Sequence, residues 1–392
     1  MNAPRASGAR LSALHAATFA GIGFYLPFFP VWLQSKAMSP GLIGVMVAIP
    51  IVVRILVTAP LMSLADRRLG LRPLLLAGHG AQVIGYPLLM VADDPFVIAG
   101  LVAALAVAQS PIVPANDLAT IEAVRRNPRF DYGRLRVWGS IAFLAANIAA
   151  GYLVGALGAD VVIWALLLTP LAGILATLLA LPGRHTTPAA KPSATEVRAR
   201  LPAVFFVVVL GAAMVQGSHG AIYAFGSIHW RSVGFSDSLI GYFWAIGVLA
   251  EIVVFFLLGR GVGRGSAGVG LILVGGAAAI VRHACLSLTP GLVPTLALQA
   301  LHGLSFGATH LGTMAAIAAL APETQRGRAQ GLGGSLIALA MAGTTVASGP
   351  LYRAFGPAVF AAMVPLCALG IALVLLGARM MRAQPQRAGE GG

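Results

Sequence analysis

The sequence predicts an all-α membrane protein, with twelve transmembrane helices arranged as two six-helix bundles. Hydrophobic residues make up 58% of the 392-residue chain and charged residues only 10%, and mean hydropathy is +0.88. The apolar residues fall in runs of about twenty or more, the length an α-helix needs to cross the hydrocarbon layer. These runs are too long and too weakly alternating for barrel strands. One polar stretch, GRHTTPAAKPSATEVRAR at 183–200, divides the runs six and six.

Taken in order, the first bundle (1–182) holds spans at 11–33, 41–64, 73–92, 96–118, 137–157 and 159–182. The basic N-terminal segment lacks a small-residue cleavage site after the first apolar run, so span one is expected to be retained. Pro27 and Pro30 in span one, and Pro111 and Pro114 in span four, remove helix donors, as spans that line cavities tolerate. The linker 183–200 follows. The second bundle (201–382) holds spans at 201–226, 238–258, 267–288, 292–320, 328–350 and 357–380. Residues 383–392, rich in Gly, Ala and Gln, are expected to be a disordered tail. Each half carries a basic, Gly-containing turn after its second span, ADRRLGLRP (65–73) and GRGVGRG (259–265). The 48 glycines, often beside Ala or Ser, suit close helix approach in a bilayer, where association depends on packing.

A net charge of +14 raises nucleic acid as a partner, but the placement of charge argues against it. With the N-terminus inside, Lys36, Arg231 and Arg353 fall outside and Arg54 and Arg282 within spans; the other 21 of 26 cations are cytoplasmic. That bias places both termini in the cytoplasm of a multi-pass inner (plasma) membrane protein. The partners expected are lipid, a small-molecule substrate and a coupling ion, for a chain acting as a monomer. Cys285 and Cys367 lie in spans and imply no disulfide framework, and no metal spacing or cofactor signature occurs. Neither lysine follows a glycine-rich turn, so no P-loop is present. No nucleophile–base set suggests an enzyme.

Ionisable groups inside the membrane are functional candidates by default, since an arginine at a helix centre costs about 2.5–3.5 kcal/mol. Among those in the spans are Arg54, Asp117, His219, Glu251, Arg282, His283, His302 and His310. Glu251 is the one carboxylate placed well inside an apolar run. Desolvation favours the neutral form of a carboxyl group, which suits a proton carrier. The alternative is a permanent ion pair of Glu251 with Arg282 or Arg54. Arginine forks onto carboxylates, and the excess of span arginines over deep acids favours an anionic substrate. On span ten His302, Phe306 and Thr309 share a face with His310 to one side. On span eight Trp244 and Glu251 are seven apart, and on span seven His219 and Tyr223 are four apart. Aromatic and histidine groups converging with arginine suit a small aromatic acid. Asp117 and the histidines are the other proton-handling candidates.

The loop SLADRRLGLRP (63–73) resembles the signature between helices two and three of the major facilitator superfamily. Asp66, Arg67, Gly70 and Arg72 match its acid, base, turn and base, which implies a conformational latch, while Met62 replaces its first glycine. FYLPFFPVWL (24–33), FDYGRLRVWG (130–139) and LQALHGLSFGATH (298–310) resemble the branch containing lactose permease and the phenylpropionate permeases. SHGAIYAFGSIHW (218–230) and GYFWAIGVLAEIVVFF (241–256) look closer to the phenylpropionate type. The resemblance implies a substrate role for Arg136, a ring-stacking position at Phe143, and roles for Arg282 and His302. Ser305, Gln299 and Leu118 replace lactose-permease site residues, with Asp117 adjacent to the last, so a sugar-binding set is incomplete. Glu251 lies near, but out of register with, that family's helix-eight glutamate.

Together these features lead to the expectation of a secondary active transporter importing a small aromatic acid, such as 3-phenylpropionate, with protons. Its expected proton-coupling residues are Glu251, Asp117 and His302. The expected substrate contacts are Arg136, Phe143, Arg282, Arg54, His219, Tyr223, Trp244 and His310. The alternatives are a drug or metabolite exporter, a sugar or nucleoside symporter of the same superfamily, and a non-transporting membrane sensor. An exporter of this superfamily commonly carries a Gly-Pro pair in helix five, which 136–158 lacks.

Overall fold

The computed structural model describes residues 7–127, 129–181, 200–259 and 265–383. Residues 183–199 of the expected linker 183–200 and the tail from 384 lie outside the described residues, as does most of the turn 259–265. Among the described residues twelve helices are long and apolar enough to cross a membrane. They are α1 (Gly8–Ser35), α2 (Pro40–Leu69), α3 (Leu71–Val91), α4 (Pro95–Arg126), α5 (Tyr132–Leu157), α6 (Val161–Ala180), α7 (Ala203–Ser232), α8 (Asp237–Leu258), α9 (Gly265–Leu286), α10 (Leu292–Leu320), α11 (Glu323–Phe355) and α12 (Ala358–Ala383). Several run past their apolar windows, because an intrahelical hydrogen bond is still the cheapest partner for a backbone group near the interface.

The helix starts are written in the sequence. Ser39, Asp94 and Asp131 each accept a hydrogen bond from a backbone N–H of the first turn, with Pro40 and Pro95 at the first helical position of two of them. Such caps satisfy donors that the helix itself leaves open. The stop after α2 is different. Ala65–Leu69 forms a widened π turn, closed by the Gly70 N–H on the Ala65 carbonyl at 2.7 Å. Gly70 stands at φ 78°, a conformation that favours glycine, which accounts for the turn residue of the ADRRLG loop.

Three spans are broken near their middle: α4 at Ser110–Pro111, α7 at Ser218–His219, and α10 at Leu301 followed by a π segment at Gly303–Ala308. Pro111 accounts for the break in α4. By contrast, α1 continues unbroken through Pro27 and Pro30. The sequence pattern signalled neither the α7 nor the α10 break.

By contacts the chain forms two compact units. The first is Met1–Pro192 with Ile222–Ala245 and Thr345–Arg353; the second is Ser193–Ala221, Ile246–Thr344 and Ala354–Gly392. In the first, α1 packs along α5 and α6, and α3 along α4 and α6. Leu11, Leu14, Leu135, Ala176 and Ala180 make one buried cluster there. The ends of α8 and α11 belong to this unit through very close backbone approaches. At Gly241 a Cβ would stand 2.5 Å from the Asn147 carbonyl oxygen. In the second unit the first half of α7 packs on α12, and α9 packs on α10 and α12. Val204, Val208, Ile272, Ala316 and Val374 form its core.

Candidate substrate and proton sites

In the first unit, α1, α4 and α5 bring together the polar residues His15, Asn116, Asp117, Thr120, Tyr132 and Arg136. The break at Pro111 begins the second half of α4, which carries Asn116, Asp117 and Thr120. The Asp131 cap starts α5 so that Tyr132 and Arg136, one turn apart, face that segment. The Tyr132 hydroxyl donates to Asp117 Oδ1 at 2.9 Å. Arg136 Nε lies 3.8 Å from the same oxygen. Its guanidinium sits 3.7 Å above the Phe19 ring centroid, a cation–π contact. About a quarter of the Arg136 side chain and a third of that of Asp117 remain accessible. The pair is therefore loosely held, at a separation longer than a hydrogen bond.

Behind it the network is fully buried. His15 Nε2 is 2.9 Å from Thr120 Oγ1, and Thr120 Oγ1 donates to the Asn116 carbonyl at 2.8 Å. Asn116 in turn donates to Thr18 Oγ1 at 2.9 Å. His15 Nδ1 faces Asp117 Oδ1 at 3.9 Å. Phe143 is buried further along α5, where α1 approaches so closely that a Cβ on Gly23 would stand 2.7 Å from the Phe143 carbonyl oxygen.

In the second unit the breaks of α7 and α10 both fall at histidines. Arg282, on α9 and 2% exposed, donates from Nε to the Leu298 carbonyl at 2.9 Å. It also donates from Nη2 to Gln299 Oε1 at 3.0 Å and from Nη1 to His302 Nδ1 at 3.2 Å. A guanidinium only donates, so His302 Nδ1 accepts and its proton is on Nε2. His219 Nδ1 meets the Gln216 carbonyl at 3.1 Å and must donate, and its Nε2 meets Ser305 Oγ at 3.2 Å. Ser218 Oγ donates to the Val215 carbonyl, so it accepts from His283 Nε2 at 2.9 Å. The three imidazoles thus pack around one cation, with ring centroids 5.4–5.8 Å apart about His219.

Below His302 runs an aromatic row. His302 and Phe306 stack at 5.2 Å, and Phe306 and His310 at 6.3 Å. The π segment accounts for a difference from the helical spacing. A widened turn brings residues four apart into line, so His310 joins the row, while Thr309 turns to bond the Ser305 carbonyl. Glu251 on α8 flanks this row, half-buried, its Cγ 3.4 Å from where a Gly307 Cβ would stand. Among the described residues Glu251 makes no ion pair. The permanent bridge to Arg282 or Arg54 is therefore not formed in this state.

The remaining candidates lie elsewhere. Trp244 donates its indole N–H to Ser227 Oγ at 2.8 Å and stands 5.8 Å from the Tyr223 ring, both in the first unit. His219 belongs to the second unit. Arg54 is exposed. Asp66 and Arg67 are exposed and Arg72 half-buried, and none of them is in an ion pair among the described residues. Sequence reasoning missed His15, Asn116, Thr120 and Tyr132.

The sequence matches the MFS_1-like family over residues 9–362. The chain belongs to that family. It is 32% identical over 386 residues to a protein of Escherichia coli (strain K12) named "Probable 3-phenylpropionic acid transporter", covering 93% of this chain and 94% of that one. The fold is shared with the nucleoside transporter NupG, at a TM-score of 0.76 and 16% identity over 96% of this chain and 99% of that one. A bacterial homologue of the human lysosomal transporter Spinster, in an inward-facing and occupied conformation, gives 0.70 and 15% over 95% and 96%. The chain is thus a multi-pass membrane transporter of the major facilitator superfamily.

Proposed function

We propose that this transporter imports a small aromatic monocarboxylate, of the 3-phenylpropionate kind, together with protons. It would act as a monomer in the inner membrane with both termini in the cytoplasm. The observation that carries this reading is Arg136. It is partly accessible, it lies over an aromatic ring, and it is held to Asp117 only at 3.8 Å. An arginine so placed can exchange a loose internal partner for a ligand carboxylate gripped by two parallel hydrogen bonds. The adjoining Phe19 face offers the ligand ring an apolar neighbour.

The likeness to the relative named for 3-phenylpropionic acid supports the choice of acid. Glu251 supports proton coupling: it is a half-buried carboxyl group against the π segment of α10, with no ion pair among the described residues. Asp66, Arg67, Gly70 and Arg72 would latch a conformation other than this one, since their charged groups are without ion-pair partners here among the described residues. The test is uptake of a labelled acid panel into proteoliposomes, with and without an inward proton gradient. Accumulation of 3-phenylpropionate that collapses with the gradient is the expected result. Uptake of neutral nucleosides or sugars in preference to any acid would overturn the reading.

A further inference from the structure

The hydrogen bonds around His15 determine where its proton lies. The Thr120 hydroxyl carries one hydrogen, and it contacts both the Asn116 carbonyl, at 2.8 Å, and His15 Nε2, at 2.9 Å. A carbonyl cannot donate, so the hydroxyl hydrogen goes to Asn116 and His15 Nε2 supplies the other bond. Neutral His15 is therefore the Nε2–H tautomer, and its Nδ1 presents a lone pair toward Asp117 Oδ1, 3.9 Å away. Lone pair faces carboxylate, and the arrangement is satisfied only if a proton comes between them. At present the charge of Asp117 is met by Arg136 and by the Tyr132 hydroxyl.

Among the described residues, Asp117 is the one acid paired with this imidazole. Helix α4 presents Asp117 and Thr120, and α5 presents Tyr132 and Arg136. Helix α6 carries no charged side chain. On α1 itself Arg10 reaches the Leu179 carbonyl. The one charged residue within the apolar run of α2, Arg54, is exposed.

We propose that His15 Nδ1 is a proton-binding site linked to anion binding: when a substrate carboxylate draws Arg136 away from Asp117, His15 takes up a proton from solvent and replaces the arginine as the counter-ion of Asp117. This rests on the reading of Arg136 as the carboxylate site. The exchange is balanced. One anion arrives at Arg136 and one proton arrives at His15, so the charge of the cluster is the same before and after. By linkage, each of the two ligands strengthens binding of the other. The site is distinct from Glu251, which belongs to the second unit.

Two measurements test it. Protons taken up on binding of 3-phenylpropionate to the purified protein are counted in weakly buffered indicator dye, for wild type, His15→Gln and Asp117→Asn. Wild type should take up about one more proton per bound acid than either variant. Retention of full uptake in H15Q would put the proton elsewhere and overturn the proposal, and retention in H15Q with loss in D117N would put it on Asp117. If 3-phenylpropionate does not bind wild type, the substrate reading fails, and the second measurement decides. Nitrogen NMR of His15 in wild type should show the Nε2–H tautomer. In Arg136→Gln, which withdraws the arginine without any ligand, the same ring should carry protons on both nitrogens at a pH where wild type carries one. A wild-type ring protonated at Nδ1, or an R136Q ring indistinguishable from wild type, would refute it.

Discussion

Arg136 and Arg282 are both arginines within membrane spans, yet their surroundings differ. Arg282 is buried, and three of its donors go to a carbonyl, an amide oxygen and an imidazole nitrogen supplied by α10. Arg136 keeps about a quarter of its side chain accessible, rests on one ring and stands back from its acid. One arginine is built into its unit, and the other is positioned to change partners. A buried cation that loses its acceptors leaves several polar groups unsatisfied at once, whereas a loosely paired one exchanges at little cost. Under the proposed function, structural work falls mainly to the second-unit arginine and ligand work mainly to the first.

Replacing each arginine by lysine should therefore break different things. Arg282→Lys keeps the charge but cannot reach three acceptors arranged for a fork. Thermal unfolding in detergent should show a loss of about 2–4 kcal/mol. Arg136→Lys should leave the melting temperature nearly unchanged and weaken binding of an aromatic acid roughly 10–100-fold, read by equilibrium binding. The reverse pattern would exchange the two roles.

Helix contacts sharpen the comparison further. Gly303 begins the π segment beside Arg282's partner His302, and a Cβ there would stand 2.6 Å from the Ala250 carbonyl oxygen. Gly303→Ala should destabilise the protein by about 1–3 kcal/mol, since backbone rather than a flexible side chain must move. Gly331→Ala, with nothing within 4 Å of the added methyl, should be neutral or stabilising by up to roughly 1 kcal/mol. The smallest effect is expected at Asp66. Asp66→Asn should alter stability by less than about 0.5 kcal/mol, because the acid is exposed and makes no ion pair here among the described residues. A slower transport rate in that variant would support the latch.

The spans were legible because a bilayer leaves so few options: long apolar runs must be helices. Caps at Ser39, Asp94 and Asp131 and the Gly70 turn follow from residue chemistry alone. The FDYGRLRVWG stretch was legible for a related reason, since charge beside hydrocarbon needs a partner. That partner was less so. Thr120 lies 105 residues from His15, and no periodicity within α1 points to it. The criterion that picks out Arg54 also picks out His15, but an apolar span does not reveal which face meets α4. The π segment of α10 was hidden too. Gly303 and Gly307 read as packing glycines, and the widening that aligns His302, Phe306 and His310 depends on how closely α8 approaches.

The claim that protons drive this transporter rests most directly on Glu251, and Glu251→Gln tests it. The glutamine mimics a permanently protonated carboxyl group. Proteoliposomes containing the variant, loaded with unlabelled 3-phenylpropionate, should still exchange it for labelled acid outside, because exchange requires no deprotonation. The same vesicles given an inward proton gradient should fail to accumulate the acid, whereas wild type concentrates it several-fold. Accumulation by the variant at the wild-type level would contradict the account.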